Sequence, residues 1–298
     1  MKKRTEKEVK KSFKIIFILI TGAIFLLLGI NRVYHSLLIQ KPERINIFIL
    51  DQNPILLSLS TIGESNYFLN FYPDLKINVP GGYGNYRVGA LGKLSDLERD
   101  REVLNRAISG ATLTFIDFYF YSSKTESYFG KKNQNPQFKS KFKNIIFSKS
   151  NANFFDRVYI ILKLLSSQKN NFVKLESFEK LNESKDLIFD HERFSEYYNG
   201  TFFQHTYRDE RKSVQILYTN NYNSADIIGR ILESNGIRVV DISKTNQADK
   251  SCTVSEKDDH FSMTAKNISR YLNCKLQYGK TGISDVILNL GDIEKLWD

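Results

Sequence analysis

The side chains able to do chemistry in this sequence are few and widely spaced. Four histidines, His35, His191, His205 and His260, stand singly. A metal site needs two or more ligands within a turn or a hairpin of one another, and these show no such spacing, so no metal is expected. His260 follows Asp258 and Asp259 in what reads as a solvated loop before a helix, and no Ser/His/Asp set can be drawn. The glycines of Pro80-Gly81-Gly82-Tyr83-Gly84 and of Gly89 to Gly92-Lys93 suggest a phosphate loop but fail its spacing. Its first glycine would fall on Arg87, and Leu94 stands where Ser or Thr is required. The dinucleotide pattern begun by Gly82 and Gly84 also ends on Arg87, so turn geometry is the better account. Cys252 and Cys274 are the only cysteines. An even count permits a disulfide in an oxidising compartment, worth ~3 kcal/mol for a loop of this length. Each cysteine stands at the expected start of a strand with a helix between, which favours the bridge over two separate core thiols.

The elements that must position these residues begin with an apolar run. Ile15 to Ile30 (IIFILITGAIFLLLGI) carries no charge. As a helix it spans about 24 Å, and extension through Asn31 and Arg32 to Tyr34 brings it to roughly 30 Å, with Arg32 and Tyr34 suited to the outer headgroup zone. Lys2, Lys3, Arg4, Lys7, Lys10, Lys11 and Lys14 precede it, and no pair of small residues after it suggests cleavage. The expectation is a cytoplasmic tail (1–14), an uncleaved transmembrane signal anchor (15–34) and an extracytoplasmic remainder, in a single-pass membrane protein.

Charge location bears on partners. The net +10 is concentrated in residues 1–14 (+5) and in the lysine-rich stretch 122–150 (+6), which leaves the rest near neutral. A nucleic-acid-coating body is therefore excluded. The stretch 122–150 reads as a long exposed loop, solvated or in contact with anionic headgroups or polymers.

Past the anchor, Ile45–Leu50, Pro54–Ser60, Tyr67–Phe71, Leu75–Val79 and Leu113–Tyr121 read as strands. A helix is expected from Ser95, with Ser95 and Glu98 as a capping box and Gly110 as its stop. Asn153–Ser167 reads as an amphipathic helix with Phe154, Phe155, Val158, Tyr159, Ile161, Leu162 and Leu165 on its apolar side. Asp190 should cap a short helix ended by Gly200, and Thr206–Lys212 is polar enough to be a linker. Residues 213–298 alternate strand (Val214–Tyr218), helix (Ser224–Ser234), strand (Ile237–Ile242), short strand (Cys252–Ser255), helix (Met263–Leu272) and two strands (Lys275–Tyr278, Val286–Leu290). The fold class is α/β (α+β): a transmembrane helix, a mixed α/β middle domain (45–205), a linker (206–212) and a small two-layer α/β C-terminal domain (213–298).

The last block resembles the C-terminal domain of LytR-type cell-envelope proteins. The likeness rests on the strand SVQILY, the Asn220-Asn221 turn, the helix ADIIGRILESNG, the strand IRVVDIS and the closing SDVILNLGD. Gly291-Asp292 is one residue short of that family's Gly-x-Asp ending. The block before it resembles a degenerate catalytic domain of the LytR–CpsA–Psr family, whose members move lipid-pyrophosphate-linked glycans onto peptidoglycan. Asn70–Pro80 (NFYPDLKINVP) stands where that family has a strand ending in Ile-Pro-Arg-Asp, and here Asp74 follows Pro73 with the arginine missing. Asp51 lies near an acidic position of the family, although Gln52 and Asn53 do not match. The helix ending at Ile108 and the strand FIDFYFY are similar to a later helix–strand pair. The family's arginine-rich cluster has no counterpart.

What the resemblance implies is a bacterial envelope protein, non-catalytic, that binds cell-wall glycan or an envelope protein partner, with no cofactor. The alternative is a glycopolymer phosphotransferase acting on lipid-linked glycan. In that case Asp51, Asp74 and Arg87, with Lys93 near, would form the site and Mg would assist. The plainer reading makes the two aspartates turn residues and the two cations solvated. Oligomeric state is not legible.

Overall fold

A computed structural model describes residue 33 and residues 36–122, 138–167, 172–181, 186–246, 251–257 and 260–298. The tail 1–14, the anchor 15–34 apart from Val33, and residues 123–137 of the lysine-rich stretch lie outside the described residues. No helix among the described residues is long and apolar enough to cross a membrane. The chain divides into two compact units, Met1–Pro42 with Ala152–Leu165, and Glu43–Asn151 with Ser166–Asp298.

In the first unit the short helix α1 (Leu37–Gln40) is followed, after the excursion through the second unit, by α5 (Phe154–Ser166). Asp156 starts α5 and binds α1. Its Oδ2 accepts Asn153 N–H at 3.1 Å while Asn153 Oδ1 accepts Asp156 N–H at 3.1 Å, a reciprocal capping box. Its Oδ1 accepts Leu37 N–H at 2.8 Å. The side of α5 that is buried holds Asp156, Ile160 and Leu164. This corrects the expected face: Phe154, Val158, Leu162 and Leu165 are exposed.

The second unit is α/β, as expected, and is built on three sheets. The first orders its strands β7-β6-β1-β2-β3-β8: Lys149–Ser150, Phe118–Tyr121, Arg44–Leu50, Ile55–Ser60, Asn66–Asn70 and Phe172–Leu175. β1 runs antiparallel to β2 and parallel to β6. Every residue of β1 and β2 is buried, which is why both read as near-continuous apolar runs. The second sheet runs β5-β4-β10-β9, from Gly84–Arg87, Lys76–Val79, Leu187–Phe189 and Glu179–Leu181. Between these sheets lies one core of Phe48, Leu50, Leu56, Leu69, Phe71 and Leu75, closed by α2 (Leu91–Leu97) and α3 (Glu102–Thr112).

Here too several elements differ from expectation. The helix expected from Ser95 is two. Leu91, Leu94 and Gly92, the last with its Cα against Leu50 and Tyr121, start α2 earlier. Arg99 then takes a left-handed φ of 55° that breaks the helix. Ser95 forms no capping box; its Oγ donates to Asp100 O at 3.0 Å. Gly110 lies inside α3, and the helix ends at Leu113 with φ 50°. That turn sends Leu113 and Phe115 into a different core, so the expected strand shrinks to Phe118–Tyr121. Within the expected loop 122–150, Phe138–Phe147 is helix α4, packed on β1 and β6 with Ile145 buried. β5, β9 and β10 were not expected; four-residue GNYR and three-residue EKL and LIF are too short to show a period.

The third sheet orders β12-β11-β15-β13-β14, from Arg238–Lys244, Ser213–Tyr218, Val286–Asn289, Thr253–Glu256 and Lys275–Tyr278. α8 (Tyr222–Ser234) and α9 (Met263–Leu272) pack on it, around Val214, Ile216, Ile228, Val254, Ile268 and Leu288. Asn221 caps α8 and Ser262 caps α9. Cys252 and Cys274 are joined by a disulfide between the starts of β13 and β14. The short helix α6 (His191–Tyr198) is capped by Asp190.

The segment expected as a linker is helix α7 (His205–Glu210). Tyr207 is buried in the third sheet's core, and Glu210 accepts N–H bonds from Met263 and Thr264 at the start of α9. Local polarity hid this, because its partners lie over fifty residues away.

Candidate functional site

Asp51 directly follows β1 of the first sheet, and both oxygens of its carboxylate are engaged. Lys141 Nζ on α4 lies 2.7 Å from both oxygens, Asn144 Nδ2 donates at 2.8 Å, and Asn53 N–H donates at 2.8 Å. Lys141 also donates to Asn53 O at 2.8 Å. Its side chain is 4% exposed and that of Asp51 is 18% exposed. The arrangement anchors α4 across the end of β1. Lys141 and Asn144 were missed by the sequence reading. The available signal was their spacing of three beside Ile145, which puts a lysine on the buried side of a helix.

Asp74 and Arg87 belong to the second sheet. Asp74 lies in the turn before β4, where Pro73 O accepts Gly89 N–H at 2.8 Å and Leu75 O accepts Val88 N–H at 2.9 Å. Its Oδ1 is buried with no hydrogen-bond partner among the described residues. Burial, with the Glu179 and Asp74 carboxylates behind it, pushes the neighbouring Tyr72 phenol well above its usual range. Arg87 closes β5 opposite Lys76 and is exposed, as is Lys93. Among the described residues no hydrogen bond or ion pair joins Asp51, Asp74 and Arg87 to one another. Nor do any three His, Cys, Asp or Glu residues among them gather as metal ligands.

The glycine-rich turn joins β4 to β5. Gly81 has φ 94°, and its N–H donates to Asp298 O at 2.8 Å. The left-handed φ, rather than crowding, is what calls for glycine here, since a Cβ would meet Leu296 O at an ordinary 3.4 Å. Glu294, buried in the chain's closing segment, accepts the N–H groups of Thr219, Asn220 and Asn221 ahead of α8. This nest of three amides is filled by the chain's own carboxylate.

A buried polar row runs along α3. Tyr119 Oη donates to Glu102 Oε1 at 3.1 Å, and Asn105 Nδ2 donates to Glu102 Oε2 at 3.2 Å. Ser109 Oγ donates to Asn105 Oδ1 at 3.1 Å, and Tyr271 Oη reaches Ser109 Oγ at 2.5 Å. Beside it, the half-buried Asp117 accepts Asn46 N–H at 2.8 Å. Burial pushes its carboxyl up to about 6, against the pull of that bond and of Arg270. Asn46 continues to Thr114 and Phe115, which in turn bond Asn235. The row ties the first sheet to the third, running from the exposed Glu102 inward to the buried Asn105 and Ser109.

One surface combines aromatic area with a cation. Tyr197 on α6 is 71% exposed and lies 5.2 Å, ring to ring, from Phe178. Tyr198 lies 6.1 Å from Phe178, and Arg193 sits 4.9 Å over the same ring. Rigid aromatic faces with a stacked guanidinium are the usual material of binding hot spots. Of the histidines, His205 faces Glu64 at 3.0 Å, while burial and nearby Arg230 depress His191.

No family model and no curated protein matches this chain. Solved structures do. The LytR-CPS2A-psr family protein TagT with bound octaprenyl pyrophosphate lipid matches at 8% identity and a TM-score of 0.36, over 52% of this chain and 87% of that one. TagV of B. subtilis matches at 9% identity and a TM-score of 0.33, over 52% of this chain and 96% of its own. TagU of B. subtilis matches at 8% identity and a TM-score of 0.34, over 52% and 94%. Likenesses of that size assign neither activity nor ligand to this chain.

Proposed function

We propose that this chain is a membrane-anchored, extracytoplasmic protein of a bacterial cell envelope that binds cell-wall glycan or an envelope protein and does not catalyse glycan transfer. The observation carrying the non-catalytic reading is the Asp51 carboxylate. Both oxygens are spent on Lys141, Asn144 and the Asn53 amide, so none is left for a magnesium ion or a phosphate-bound metal. The binding surface in this reading is the Tyr197–Phe178–Arg193 cluster, which offers flat apolar faces edged by phenol and guanidinium groups.

Two assays on the full chain in detergent micelles test it. Incubation with radiolabelled lipid-pyrophosphate-linked glycan and peptidoglycan should give no transfer, and turnover abolished by Asp51→Asn would overturn the reading in favour of the phosphotransferase. Sedimentation with purified wall glycan should retain the wild-type chain. Tyr197→Ala should weaken that retention about tenfold, the loss of one hot-spot contact. Retention unchanged by Tyr197→Ala would remove this surface from the proposal.

A further inference from the structure

Helix α5 is apolar on two opposite sides. Asp156, Ile160 and Leu164 are buried, while Phe154, Val158, Leu162 and Leu165 form a row at i, i+4, i+8 and i+11 on the other side. These four are 69%, 37%, 58% and 62% exposed. In α1 of the same unit, Leu38 and Ile39 are exposed as well, at 39% and 54%. Single exposed aliphatics are ordinary, but a continuous row along three helical turns marks an interaction surface.

Its position along the chain says what that surface meets. Asp156 holds Leu37 N–H at 2.8 Å, so α5 is fastened to the residues that emerge from the apolar run ending at Ile30. Six residues lie between Ile30 and Leu37, and the seven steps reach only about 25 Å even when fully extended. A turn shortens that reach, because Ser36 N–H and Oγ both bond Val33 O, at 3.0 and 2.6 Å. The start of α5 is thus tethered within that reach of any bilayer the run crosses, close enough to meet its surface. Its charges agree: Asp156, its only acid, is buried as a cap, while Arg157 and Lys163 are its two bases.

We infer that α5 lies along the outer membrane–water interface, with Phe154, Val158, Leu162 and Leu165 immersed in lipid, as a second membrane contact beside the anchor. This rests on the anchor being membrane-spanning, as in the proposed function. Interfacial helices of this kind bind by apolar area, aided by attraction to anionic headgroups.

The test uses the full chain, oxidised so that Cys252 and Cys274 stay paired, in vesicles of phosphatidylcholine and phosphatidylglycerol. A nitroxide is placed at Leu162→Cys, with Ile283→Cys as a control because Ile283 is fully exposed at 100%. In vesicles, the label at 162 should collide with oxygen several-fold more than with a water-soluble nickel chelate, relative to the label at 283. Equal, water-like profiles at both positions would overturn the inference. So would exclusion of both reagents at 162, or strong spin–spin broadening there, since protein rather than lipid would then cover the row. Flotation of the same samples separates the two claims. A chain that fails to float refutes the anchor, whereas one that floats with a water-accessible 162 refutes the helix contact alone.

Discussion

Replacing Lys141 by methionine should expose the energetic role of the Asp51 clamp. The new side chain nearly matches the lysine in length and leaves no large cavity, so the change isolates the charge. Removing one partner of a buried ion pair costs ~3–5 kcal/mol. Here Asp51 is 18% exposed and keeps the Asn144 and Asn53 bonds, which discounts the loss to ~2–3 kcal/mol. For a folded part of this size, that corresponds to a melting midpoint lower by about 4–12 °C. Thermal and urea unfolding of the full chain in detergent micelles would read it. The companion Asp51→Asn/Lys141→Met should recover part of the loss, because no unpaired carboxylate remains, with a coupling of ~1 kcal/mol or more. A single variant as stable as the wild type, or a double variant no better than the single, would refute the clamp.

Three further outcomes follow from other parts of the second unit. Burial raises the Asp117 carboxyl to about 6, above its unfolded range of roughly 4, so the unfolded chain ionises first as pH rises and stability is lost between about pH 4 and 6. Asp117→Asn should therefore gain midpoint over the wild type above about pH 6 and show no such gain at pH ~3.5; a gain independent of pH would contradict the cause. Denatured but unreduced protein should contain no free thiol, and Cys252→Ala/Cys274→Ala should lose ~3 kcal/mol for a closed loop of this length. Finding two thiols by a colorimetric titration would exclude the bridge. Gly236, at φ 99°, has the Phe203 ring 2.8 Å from where a Cβ would stand, so Gly236→Ala should cost ~1–3 kcal/mol in urea unfolding, and an unchanged midpoint would refute the close approach.

The C-terminal block was the most legible part. Met263–Leu272 and Lys275–Tyr278 stand where their period and caps put them, because short-range apolar spacing and a Ser N-cap act within one turn. The buried strands of the first sheet were legible for a related reason: a strand covered on both faces reads as a near-continuous apolar run. The candidate site was legible only as residue types. Nothing local to Asp51 announces Lys141, ninety positions on.

By itself, then, the sequence determined the α/β class, the order of strong strands and helices, and the apolar run with its basic flank, all of which depend on neighbours a few residues apart. Only the tertiary structure decided that Asp51 is consumed by an ion pair, that Arg99 divides one helix into two and that Thr206–Lys212 is no linker. It also decided that the apolar row of α5 faces outward rather than into the core. Each of these turns on which distant groups meet, and periodicity marks an apolar face without saying what will cover it.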